Sequence, residues 1–235
     1  MKVLITGVSS GIGKATCEAL IQKNIHVLGV SRNASQISFN SSLYTPYDLN
    51  LAKCSQIQKP LEQIQKEHPD IDILICNAGK GLFGSLEEYS YHAMQELMNL
   101  NFLSHAILSK VFIPNMKKKK KGKIVFIASE AALQGRQRGS LYCASKAALR
   151  SFAQALREEC ASSGISINII NPGMVRTEFF NELNIAPGPS EENAITPEQV
   201  ATAIIYTIEQ GPNMLIEEIN LAPLKKVVEH KKSKQ

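Results

Sequence analysis

The sequence predicts an α/β chain whose parallel sheet carries helices on both faces. Three observations predict it. Short apolar runs rich in Val and Ile alternate with longer helical patterns from the first residues to about residue 221, and such alternation favours parallel strands joined by helical crossovers. The runs are nearly continuous rather than alternately polar, as expected of strands covered on both faces. No proline-, glycine- or serine-rich linker divides the 235 residues, so they read as one domain.

Residues 2–6 (KVLIT) read as the first strand and 11–23 as the helix after it. Residues 26–31 (HVLGVS) form a second buried strand and 43–47 a weaker third. Only 32–42 separate those two, too few for a full crossover helix, so a loop with at most one helical turn is expected there. Residues 51–67 set Ile57, Leu61 and Ile64 on one helical stripe. Strands follow at 71–76 (IDILIC), 123–128 (KIVFIA) and 165–170 (ISINII), with helical patterns over 90–115 and 141–162. Thr196 caps a helix over 197–210 that has proline in its first turn, and 215–221 closes the series. The domain is expected to run to residue 225, with a basic, flexible tail over 226–235.

Apolar and charged contents of 44% and 20% are those of an ordinary soluble enzyme. The net charge of +5 is local: Lys117 to Lys121 with Lys123, and Lys225, Lys226, Lys231, Lys232 and Lys234, supply it, and without them acids outnumber bases. The first run ends a helix, where cations are favoured by the dipole. Both runs read as solvated ends rather than as nucleic-acid or membrane surfaces. No apolar run reaches the roughly 18–20 residues that span a bilayer. The first strand begins almost at Met1, leaving no room for a leader. The five cysteines have neither metal spacing nor a CxxC pair and read as reduced, mostly buried thiols. Together these features suggest a cytoplasmic protein with no metal.

The turn after the first strand is Thr6-Gly7-Val8-Ser9-Ser10-Gly11-Ile12-Gly13. Its three glycines let the backbone turn tightly and approach a pyrophosphate, and the helix start supplies free N–H groups, so a dinucleotide is expected here. Ser31, followed by Arg32, ends the second strand, where an acid would bind a ribose 2′-OH. Serine does not repel a 2′-phosphate and a guanidinium pairs with one, so NADP(H) is preferred, with NAD(H) possible. Tyr142 and Lys146 share a helix face four residues apart, with Ser129 upstream. An ammonium there is expected to lower the phenol's pKa, so that it can protonate a carbonyl or deprotonate an alcohol.

In this order the motifs resemble those of the short-chain dehydrogenases/reductases: Thr6-Gly7-x3-Gly11-x-Gly13, Asp48, Asn77-Ala78-Gly79, Asn101, Ser129, Tyr142-x3-Lys146, and Asn171-Pro172-Gly173 with Thr177. The resemblance covers nearly the whole chain. It implies a single-domain Rossmann fold of seven parallel strands with the catalytic residues at the carboxyl edge. It implies Tyr142 as proton donor or base, Lys146 lowering its pKa and holding the nicotinamide ribose, and Ser129 on the substrate oxygen. Asn101 would hold a water linking Lys146 to solvent. Asp48 and Leu49 would meet the adenine, Asn77, Ala78 and Gly79 would line the groove, and Pro172, Gly173, Val175 and Thr177 would meet the carboxamide and diphosphate. The family's first asparagine is Cys76 here, and an extra serine is Ala128.

A substrate pocket is expected from 130–141, Phe83 and a mobile lid over about 174–196, with Phe179, Phe180 and Leu183 as an apolar wall. Arg136 and Arg138 could hold an anion or simply be solvated. His26, His68, His92, His105 and His230 lack ligand spacing; His105 shares a face with Asn101 and reads as a core histidine. The expected activity is an NADP(H)-dependent oxidoreductase acting on a small carbonyl or secondary-alcohol substrate, in a homodimer or homotetramer by resemblance. A non-catalytic NADP-binding sensor or scaffold is the alternative.

Overall fold

The computed structural model describes residues 1–211 and 213–231. Seven parallel strands form one sheet: β1 (Lys2–Thr6), β2 (His26–Ser31), β3 (Tyr44–Asp48), β4 (Ile73–Cys76), β5 (Gly122–Ile127), β6 (Ile165–Pro172) and β8 (Glu218–Leu221). Their spatial order is β3-β2-β1-β4-β5-β6-β8. Strand β7 (Ile185–Pro187) lies outside this sheet and pairs antiparallel with β9 (Val228–His230). The helices are α1 (Gly11–Gln22), α2 (Cys54–Glu67), α3 (Tyr91–Met98), α4 (Ser104–Lys119), α5 (Ser140–Cys160) and α6 (Pro197–Glu209).

Side chains alternate across each strand, and each face has its own core. Val3, Ile5, Ile75 and Val125 meet Leu20 of α1 and Ile204 and Ile208 of α6. Leu4, Leu28, Leu74 and Phe126 meet Leu61 of α2, Phe112 of α4 and Leu149 of α5. This two-sided burial is why the strands read as continuous apolar runs. Helix α6 starts at Thr196, whose hydroxyl accepts from Gln199 N while the Gln199 side chain accepts from Thr196 N. It ends on Lys123, whose ammonium donates to Ile208 O and Gln210 O at 2.9 and 2.5 Å.

The chain fills the sheet outward from β1 to β3, then returns to β4 on the other side of β1. The order therefore reverses between β1 and β4, and a crevice opens beyond their carboxyl ends, the place where such sheets bind ligands. Thr6 fastens it, its Oγ1 accepting from Asn77 N and Ala78 N, both at 3.0 Å.

Three features differ from the sequence reading. The helix expected over 90–115 is broken: Asn99–Leu103 is a π-helical segment between α3 and α4. The lid over 174–196 contains β7, and its two ends are stitched by Ile195 N donating to Met174 O and Arg176 N to Ile195 O. The tail expected to be flexible from residue 226 is tied down as far as Lys231, because β9 finds β7 as a partner; residues 232–235 lie outside the described residues. Between β2 and β3, Ala34–Gln36 forms the single helical turn expected.

Candidate active site

The glycine loop leaves β1 with Gly7 at φ 75° and enters α1 with Gly11 at φ 53°, both in the left-handed region that favours glycine. A Cβ on Gly13 would stand 2.0 Å from Gly7 O, so α1 rests directly on the loop backbone. Ser10 precedes α1 in extended conformation and makes no side-chain cap, so no Ser10 side-chain bond takes up the first-turn N–H groups. Gly7, Ser9, Ser10, Gly11 and Ile12 line a cleft of about 220 Å³ with Asn77, Ala78, Gly79, Pro172, Gly173, Val175 and Thr177. Ser129, Tyr142 and Lys146 line the same cleft. Thr6 and Gly13 lie beneath it as supports.

The other named residues lie elsewhere. Ser31 and Asp48 are the last residues of β2 and β3, Arg32 and Leu49 follow them, and none of the four lines the cleft. Asp48 is occupied: its carboxylate accepts from Ser35 N at 2.8 Å and Ser35 Oγ at 2.5 Å, bracing the short turn after β2. Those bonds hold its carboxyl below the usual range. Ser31 Oγ is buried with no partner among the described residues. Arg32 is exposed and within electrostatic reach of Glu96, whose carboxyl is held low chiefly by the hydrogen bond from Lys80.

At the inner end, Ser129 leaves β5 and caps a short turn, accepting from Ala131 N at 3.1 Å. Tyr142 and Lys146 come from the first two turns of α5 and are both buried. The Tyr142 ring stands between Phe83 and Phe179, with centroids 5.0 and 6.0 Å away. Burial pushes its phenol up to about 12, against the opposing Ser129 hydroxyl. The Lys146 ammonium donates to Ile127 O at 3.0 Å, and burial lowers it to about 8. The expected lysine-lowered tyrosine is therefore not what the structure holds. Desolvation acts on both groups and favours the neutral form of each.

Asn101 is fully buried in the π-helical segment. Its Oδ1 accepts from Lys80 N at 2.9 Å, and its Nδ2 donates to Lys80 O and Ser145 Oγ, both at 3.0 Å. A Cβ on Gly79 would lie 3.3 Å from Asn101 Oδ1 and 3.4 Å from Lys146 Nζ, so Gly79 keeps the space between those two polar groups open. His105 is a core histidine: Nε2 donates to Ala78 O at 2.8 Å, and burial lowers its pKa to about 3. All five cysteines are free thiols, Cys54 half-buried and the rest buried. No group of metal-ligating side chains occurs among the described residues. Among them, too, no helix is long and apolar enough to cross a membrane.

A second cavity of about 550 Å³ adjoins the cleft. Ser129, Tyr142, Gly173, Phe179 and Phe180 line both. Phe83, Glu130, Arg136, Arg138 and Met174 line the second, as the sequence suggested. Sequence reasoning missed Ile127, whose backbone carbonyl carries no side-chain signal, and Lys226, Val228 and His230, which look like a charged tail.

The model of the short chain dehydrogenase family matches residues 1–187. The chain belongs to that family. It is an oxidoreductase of the short-chain dehydrogenase/reductase type that uses a nicotinamide dinucleotide. Ketoacyl reductase HetN of Nostoc sp. is 31% identical over 231 residues, covering 94% of this chain and 79% of HetN. A structure of ElxO with NADP bound is 26% identical, with TM-score 0.81 and coverage of 93% and 96% of the two chains. 4-Hydroxyisoleucine dehydrogenase complexed with NADH superposes with TM-score 0.83 at 24% identity, covering 94% and 97%. Members of this fold thus bind either nicotinamide cofactor.

The cleft fits such a cofactor on its own geometry. The glycine cradle has no room for side chains at Gly7 or Gly13, and no side chain caps the start of α1, whose first residues Gly11 and Ile12 line the cleft.

Proposed function

We propose that this short-chain dehydrogenase/reductase interconverts a small carbonyl compound and its secondary alcohol with NADP(H). The observation that carries the reading is that Ser129 and Tyr142 line both the glycine-loop cleft and the adjoining cavity. A substrate oxygen at that junction meets the phenol and the serine together. When bound, the nicotinamide ring supplies or takes the hydride. Tyr142 gives its proton to the carbonyl oxygen, or takes one from the alcohol, while the Ser129 hydroxyl holds that oxygen. A phenol whose ordinary state is protonated suits the reducing direction. Lys146 sits four residues on, with its ammonium oriented by Ile127 O. It would hold the nicotinamide ribose and stabilise developing phenolate charge. Asn101 acts on Lys80 and Ser145 and shares the space over Gly79 with Lys146, consistent with a water link between them.

For the cofactor, Gly7, Ser9, Ser10, Gly11 and Ile12 would hold the pyrophosphate, with Thr6 and Gly13 shaping the loop. Asn77, Ala78, Gly79, Pro172, Gly173, Val175 and Thr177 would hold the nicotinamide half. Arg32 has no carboxylate partner among the described residues, and Ser31 Oγ has no partner there either. The exposed Arg32 suits a 2′-phosphate and Ser31 carries no charge to repel one, hence NADP(H) over NAD(H), with Asp48 and Leu49 bounding the adenine. Affinity for NADH equal to that for NADPH would reverse the preference. The protein is read as a cytoplasmic homodimer or homotetramer; light scattering that gives a monomer at micromolar concentration would refute the assembly.

The decisive experiment follows NADPH absorbance against a panel of aldehydes, ketones and 3-oxo acids, with Tyr142→Phe alongside. Turnover in the native chain, lost at least about 100-fold in the variant with NADPH affinity retained, is the expected result. Tight NADPH binding without turnover on any carbonyl would instead favour a cofactor-binding sensor or scaffold.

A further inference from the structure

The basic segment 225–231 has no role in the reading above, yet it is built into the wall of the second cavity. Lys225 N donates to Glu192 O at 2.9 Å, and the Lys225 ammonium pairs with the Glu192 carboxylate at 2.8 Å. Asn193 Nδ2 donates to Lys225 O at 3.1 Å, and Gly188 N to Val227 O at 3.0 Å. Strand β9 pairs with β7, and Lys231 N donates to Asn184 O at 2.9 Å. The segment is thus a strap laced along the lid, and Lys226, Val228 and His230 face the cavity that holds Ser129 and Tyr142.

The charges there are uneven. Arg136, Arg138 and Lys226 line the cavity, against Glu88 and Glu130. Glu130, the residue after Ser129, is shared: the Lys226 ammonium is hydrogen-bonded to its carboxylate, and the Arg136 guanidinium lies 3.9 Å from it. Glu88 is engaged with Ser85 N at 3.2 Å in its own capping box. Arg138 has no carboxylate partner among the described residues. Its backbone is held at φ 58°, with its carbonyl accepting from Gly84 N at 2.8 Å. The rest of the wall is largely apolar, from Phe83, Met174, Phe179, Phe180, Ile185 and Val228. The three cations are solvent-exposed, and their surplus positive charge over the two acids attracts an anion to this cavity. A guanidinium and an ammonium together suit a carboxylate.

We propose that the C-terminal strap is a specificity wall of the substrate pocket, and that Lys226, with Arg138, selects carbonyl compounds bearing a carboxylate on an apolar chain. The proposal rests on the reductase reading, since it takes the second cavity as the place of the substrate. The carboxylate binds between the strap ammonium and the Arg138 guanidinium, and the chain lies along the phenylalanines.

Calorimetry on the full chain with hexanoate and hexanamide tests it. Neither probe has a reducible ketone, so binding is read without turnover. Hexanoate should bind about tenfold more tightly than hexanamide. That preference should fall below about threefold in Lys226→Gln and survive in Lys226→Arg, which keeps the charge. Equal affinities in the native chain, binding of neither probe, or an unchanged preference in Lys226→Gln would overturn the proposal. Failure of the reductase reading shows separately, as absent NADPH consumption in the carbonyl panel.

Discussion

At the scale of single residues, the site holds two buried groups whose neutral forms are favoured. Lys146 matters most for stability. Its folded pKa, about 8, lies below the ordinary lysine value of 10.5. The unfolded chain therefore binds the extra proton, and folding bears a cost that is full below pH 8 and relieved as pH rises toward 10.5. Two to three pKa units correspond to roughly 3 kcal/mol. Lys146→Met should therefore raise the unfolding free energy measured in urea at pH 7, by up to about 2–3 kcal/mol, while abolishing turnover. The gain should shrink steadily between pH 8 and 10; a gain independent of pH would contradict the assigned cause. The residue types and spacing at 142 and 146 were legible in the sequence. Their pKa directions were not, because burial sets both, and burial depends on segments far away in the chain, as where Phe83 and Phe179 flank the Tyr142 ring.

At the scale of elements, the glycine loop and the break between α3 and α4 do the positioning. Gly13→Ala would drive a methyl group into Gly7 O, so it should abolish NADPH binding measured by calorimetry and lower the melting temperature. The π-helical segment was not read from periodicity, which took 90–115 as one helical pattern. It turns the Asn101 amide onto the Lys80 backbone, and such bulges recur at functional sites. Asn101→Ala would strip the Lys80 N–H and C=O of their bonds and cost about 2–4 kcal/mol in denaturant unfolding. On the opposite face, Lys123 closes the carboxyl end of α6. Lys123→Met should cost about 1 kcal/mol, measured the same way. The sequence assigned that lysine to a solvated run; only the fold aims it at the carbonyls of a helix 85 residues away.

At the scale of the whole molecule, the sheet and the strap are separable. The two cores lie on the faces of the seven-stranded sheet and hold none of the residues of β7 or β9. Ending the chain after Pro223 should therefore leave the cooperative unfolding transition largely intact. Amide exchange at Gly188 and over β7 should rise by at least about tenfold, since their bonding partners are gone. Unchanged exchange there would show that the lid holds itself without the strap.

The sequence by itself determined the sheet, the glycine loop and the order of the motif residues. Those depend on local patterns: apolar runs of strand length, glycines where side chains cannot fit, and a tyrosine and lysine one helical turn apart. Tertiary structure decided what depends on segments far apart in the chain meeting. It raised the tyrosine and lowered the lysine by burying both, turned Asn101 at a π-helical break, and drew Lys226 with strand β9 along the lid into the pocket wall. A charged tail reads as solvated until its backbone finds a partner strand, and that partner lies more than 40 residues earlier in the chain.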